Sequence, residues 1–184
     1  MAENEEVGAF LAWLSTFELS RPVEKLSDLS DGSALFDVLS TVYVDIERNS
    51  CELVLRACCS GVLIFCPGIS DPEHFRNASQ VSTQLPDNWP LRFTALKRLF
   101  RLISQYYTEV LRQPPSAIDV PDLQAIAKDY DVDQTLALCR LTIALAVQSS
   151  QNQKIIGGIQ QLKEADQHAL MRAIEIVCTS CARP

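Results

Sequence analysis

Between Trp89 and Arg112, apolar side chains recur every three or four residues, at Phe93, Leu96, Phe100, Ile103, Tyr107 and Val110 or Leu111. That period lines them along one face of an α-helix. Prolines bound the run: Pro90 suits a first helical turn, where a missing N–H costs nothing, and Pro114 and Pro115 stop it. A long helix with one apolar face must lay that face on other elements. The chain supplies more of the same kind. Phe10, Trp13, Leu14 and Phe17 predict an amphipathic helix from Glu5 to Leu19, ended by Pro22. A second opens at Ser30 with Leu35, Val38, Leu39 and Val42 on one side and Asp31 in the first turn, where the helix dipole favours an anion. Pro121 starts a short helix carrying Leu123 and Ile126, and Asp131 or Asp133 caps another through Leu136, Cys139, Ile143 and Val147. A last helix runs from Gln153 to about Cys178. Gly157 and Gly158 predict a kink or break in it, since each glycine costs roughly 1 kcal/mol in a helix interior. No segment alternates as a strand does, so the fold class is all-α.

The 184 residues suffice for one sizeable core, and no Pro/Gly/Ser-rich linker divides them, so a single domain over 1–184 is expected. The start, MAENEEV, is acidic and unlike a secretory signal. The most apolar run, Leu53 to Ile69, contains Arg56, Gly61 and Pro67 and falls short of the roughly 20 apolar residues of a membrane span. A soluble, cytoplasmic protein without membrane insertion is the expectation. The cysteines are seven, irregularly spaced, with Cys51, Cys58, Cys59 and Cys66 crowded together, which favours reduced thiols over a disulfide framework. Residues 1–50 hold ten acids against three bases, and 87–112 five bases against two acids, within a net charge of -7. That balance disfavours broad attraction to nucleic acid.

Catalytic signals are missing. The two histidines, His74 and His168, stand far apart, and no nucleophile elbow, phosphate loop, zinc-protease or EF-hand pattern occurs. No enzyme activity, cofactor or metal is expected. Cys178 and Cys181 form a lone C-x-x-C with no preceding strand, and His168 reads as a boundary residue on a helix. Arg92, Lys97, Arg98 and Arg101 interleave with core positions and read as the solvated face of their helix. Tyr43 to Gln84 shows no clean period and reads as loop with some helix.

The stretches FLAWLSTF, LSDLSDGSALFDVLS and LPDNWPLRFTALKRLFRLISQYYTEVL together resemble the N-terminal Hook domain, a divergent calponin-homology fold found in cytoplasmic dynein adaptors. FLAWLSTF and LSDLSDGSALFDVLS match its first two helices. LPDNWPLRFTALKRLFRLISQYYTEVL matches its D-N-W helix, with Asp87, Asn88, Trp89, Lys97, Arg98, Tyr106 and Tyr107 in place. The later segments follow the family order to Gln167, Met171 and Ile174. Girdin-type proteins carry a similar domain. Against the family pattern, residues 43–70 form an insertion before Asp71-Pro72-Glu73-His74-Phe75, and no coiled-coil heptads follow the domain up to Pro184. The fragment is therefore expected to be monomeric. The resemblance implies a calponin-homology-like helical domain with an extra long C-terminal helix.

The resemblance also implies a function: docking an amphipathic C-terminal helix of the dynein light intermediate chain, for microtubule-based transport by a cytoskeleton-associated adaptor. The residues it points to are Gln167, Met171 and Ile174, with His168 and Leu170 on the same stretch. Their i, i+4, i+7 spacing sets the first three along one face, while Leu162, Ala169, Ala173 and Ile176 are expected to pack inward. Spacing alone favours a plainer reading, in which the three complete the core. The resemblance reverses that preference. The alternative function is direct binding to microtubules or actin through the basic face at 92–101; the acidic balance of the chain argues against the microtubule case, since tubulin tails are acidic too.

Overall fold

The computed structural model describes residues 2–41, 88–113, 118–149 and 151–181. The expected insertion at 43–70 and the Asp71–Phe75 motif lie outside them. Among the described residues the secondary structure is entirely helical, with no strand.

The first helix, α1 (Ala2–Leu14), buries Ala9, Phe10, Trp13 and Leu14. Its rings pack edge to face, Phe10 on Trp13 with centroids 6.4 Å apart and Trp13 on Phe17 at 5.1 Å. The helix ends well before the expected Leu19. Ser15 Oγ and Thr16 Oγ1 donate to the carbonyls of Ala12 (2.6 Å) and Trp13 (2.7 Å), and Phe17 N–H turns back to Leu14 O (3.1 Å). Short hydroxyl side chains offer the backbone an alternative to the helical ladder, and here it is taken.

The second helix does not open at Ser30. Leu26–Asp31 forms a 3-10 turn, Gly32 adopts a left-handed φ of 72°, and α2 follows over 33–41. A Cβ on Gly32 would lie 3.2 Å from the Cδ2 atoms of both Leu96 and Leu99, so the glycine serves backbone angle and close packing together. Asp31 thus precedes the helix, where its Oδ1 accepts from Ser33 N (2.9 Å) and Ser33 Oγ (2.7 Å) while Arg21 pairs with its other oxygen.

Helix α3 (Trp89–Glu109) forms as its stripe predicts, with Pro90 in the first turn and Leu96, Leu99, Ile103 and Tyr107 buried. Next comes α4 (Leu123–Asp129), capped by Asp122, whose carboxylate accepts from Gln124 N (2.9 Å) and Ala125 N (3.1 Å). Between the two alternatives for the following helix, Asp131 is the cap of α5 (Val132–Gln148), accepting from Gln134 N (2.9 Å), and Asp133 sits in the first turn. Leu136, Leu138, Cys139, Ile143, Ala144 and Leu145 of α5 are fully buried, making it the central element.

The chain closes with α6 (Asn152–Gln160) and α7 (Glu164–Cys181). The break falls at 161–163, whereas Gly157 and Gly158 lie inside α6. Gly158 instead faces the turn after α1: a Cβ there would stand 3.4 Å from Thr16 Oγ1. Helix α7 packs on α1 and α5, while α3 packs on α4, α5 and the 3-10 turn. A two-pronged ion pair ties α1 to α5, with Glu6 Oε1 2.6 Å from Arg140 Nε and Oε2 2.7 Å from Arg140 Nη2. Its hydrogen bonds to the Glu6 carboxylate raise the Arg140 guanidinium above its already high ordinary value.

Candidate docking face

Helix α7 has to satisfy the core before it can serve a partner. Leu170, Ala173 and Val177 do so, at 0, 1 and 7 % exposure, spaced three and four residues apart. This stripe is turned slightly from the expected one. Ala173 is common to both, but Ile176, expected inward, is 50 % exposed, and Leu170, expected among the partner-facing residues, is fully buried. The phase is set by α1 and α5, against which α7 lies, and not by anything local to the helix. Leu170 therefore offers no surface. Leu162 and Ala169 are half-buried against the core.

Beside that stripe runs another. Gln167 and Ile174 are half-buried, Ile174 leaning on the core, and Met171 between them is 56 % exposed. Cys178, four residues beyond Ile174, continues the same line and is exposed. His168 is exposed on the solvent side, with Nε2 3.9 Å from Glu164 Oε1. Gln167 is engaged within the domain: its Nε2 donates to the carbonyls of Gln160 (3.1 Å) and Leu162 (2.8 Å).

The basic stretch on α3 is not uniformly solvated. Arg92 is buried, donating through Nε and Nη2 to the Ala127 carbonyl at 3.0 and 2.8 Å and standing 5.1 Å from the Tyr130 ring centroid. Lys97 reaches over Phe93, at 4.4 Å from its centroid. The outward charge is thus carried by Lys97, Arg98 and Arg101. Sequence reasoning missed the role of Arg92, because its acceptor is 35 positions away.

Burial, aided by the nearby Glu6 charge, pushes the Cys139 thiol up to about 12, so it stays protonated and inert. Among the described residues no group of three His, Cys, Asp or Glu side chains could hold a metal ion, and no helix is long and apolar enough to cross a membrane.

A family model for the HOOK domain matches residues 62–176. "Protein Hook homolog" of Branchiostoma floridae is 29 % identical over 177 residues, covering 95 % of this chain and 21 % of that protein. "Protein Hook homolog 3" of Homo sapiens is 25 % identical over 169 residues, covering 91 % and 20 %. The chain thus spans about a fifth of the length of these curated relatives. Among solved structures, the conserved domain of HOOK1 protein from mouse superposes with a TM-score of 0.71 at 23 % identity, over 98 % of this chain and 94 % of that one. The all-helical architecture is therefore that of a known fold.

Proposed function

The chain belongs to the HOOK domain family, a non-enzymatic one, and on that premise we propose that it is the docking module of a cytoplasmic dynein/dynactin adaptor. Its α7 face receives an amphipathic helix from the C-terminal tail of the dynein light intermediate chain, in the service of microtubule-based transport. The observation that carries this reading is Met171, 56 % exposed in line with Ile174 and Gln167 on a helix whose core contact is already made by Leu170, Ala173 and Val177. Apolar side chains left over after internal packing are the raw material of a helix-binding surface. Methionine is flexible and polarizable enough to fit an incoming side chain, and Ile174 adds buried area.

The test is titration of the folded domain with a labelled light-intermediate-chain tail peptide. Saturable binding is expected, and Ile174→Ala should weaken it roughly five- to thirtyfold, the equivalent of about 1–2 kcal/mol of lost apolar contact. A well-folded parent that does not bind the peptide refutes the reading. Direct filament binding through Lys97, Arg98 and Arg101 is the competing function; salt-sensitive co-sedimentation with microtubules would favour it.

A further inference from the structure

Helices α6 and α7 meet at an elbow over 161–163, and they pack on each other less than either packs on α5. The backbone bonds there stay on one arm or the other. Gln161 N–H and Leu162 N–H reach back to Gly158 O (3.3 Å) and Ile159 O (3.1 Å), and Gln167 N–H reaches Lys163 O (3.0 Å). The Gln167 side chain spans the two arms, with Nε2 shared between the carbonyls of Gln160 (3.1 Å) and Leu162 (2.8 Å). The carbonyl of Gln160, the last residue of α6, is one that a helix leaves unpaired at its C-terminus, and that of Leu162 belongs to the linker. Two acceptor oxygens require the nitrogen of the carboxamide to face them, and they use both of its hydrogens.

We propose that Gln167 is a positioning residue for the docking face: its amide latches the elbow and fixes the direction in which α7 presents Met171 and Ile174. The inference rests on the docking function proposed above. A carboxamide already spent on internal carbonyls cannot also donate to a partner without releasing the elbow. Its removal therefore acts mainly through α6 and α7, not through a lost intermolecular contact.

Two variants separate these roles. Gln167→Lys keeps donors and has no acceptor, whereas Gln167→Glu is ionised at neutral pH, keeps acceptors and has no donor. Backbone hydrogen exchange at Gln161 and Leu162 reports the elbow, and titration with the light-intermediate-chain peptide reports docking. Gln167→Glu should speed exchange at these amides roughly fivefold or more and weaken peptide binding by a similar factor. Gln167→Lys should hold both near the parental values. The proposal is overturned if Gln167→Glu binds like the parent, or if Gln167→Lys loses binding while the elbow stays protected, since direct contact would then be the role of Gln167. If the parent itself does not bind, the docking function falls and the positioning role with it, while the exchange data still show whether Gln167 holds the elbow.

Discussion

Replacing Arg92 by alanine should cost the domain about 3 kcal/mol. The guanidinium donates twice to the carbonyl of Ala127, a fully buried residue in the last turn of α4, where no helical N–H follows to satisfy that oxygen. Hydrogen bonds from a charged donor contribute about 1.5–3 kcal/mol net, and two converging on one oxygen act as one site. The Tyr130 ring, with its centroid 5.1 Å away and 43 % exposed, adds roughly 0.5–1 kcal/mol. For a domain of this size about 3 kcal/mol lowers Tm by roughly 6–12 °C. Urea and thermal unfolding followed by far-UV circular dichroism measure both. Arg92→Lys keeps the charge and loses the fork, so it should fall about midway. A loss below about 1 kcal/mol for Arg92→Ala, or a lysine as good as arginine, would refute the reasoning and return Arg92 to the solvated face of α3.

Gly32→Ala should destabilise by about 1–3 kcal/mol in urea melts, because alanine resists a φ of 72° and its methyl would crowd Leu96 and Leu99 at 3.2 Å. Alkaline pH should also destabilise the domain through Cys139. Its folded thiol ionises near 12, above the ordinary value of 9.0, so the unfolded chain loses its proton first and stability falls as pH rises through this interval. The full loss is on the order of 4 kcal/mol, and Cys139→Ala, although less stable at neutral pH, should show the shallower decline between about pH 9 and 11.

Features governed by local pattern could be read in the sequence. The stripe from Leu96 to Tyr107 gave α3, and Asp131, one of two candidate caps, announced α5 because a carboxylate before a helix meets the unpaired backbone N–H groups of its first turn. Features settled by distant contacts could not. Gly157 and Gly158 look like a break, yet α6 runs through them, with Gly158 beside Thr16 from the other end of the chain. The real break, at 161–163, carries two hydrogen bonds from a glutamine of the following helix. The rotation of α7 that buries Leu170 and exposes Ile176 is likewise decided by α1 and α5. Of the candidate face, Gln167, Met171 and Ile174 were singled out by the family resemblance, their spacing alone favouring a core role, and the internal engagement of Gln167 needs the elbow to be folded.

The packing of α1 against α7 has a consequence for how the protein is made. About 150 residues separate Leu14 from Glu164, roughly 8–30 s of synthesis at typical ribosomal rates. Through that interval the first helix emerges with Phe10, Trp13 and Leu14 lacking their final cover. A nascent chain thus carries an aromatic, adhesive helix until α7 clears the exit tunnel, making that stretch a natural target for ribosome-associated chaperones.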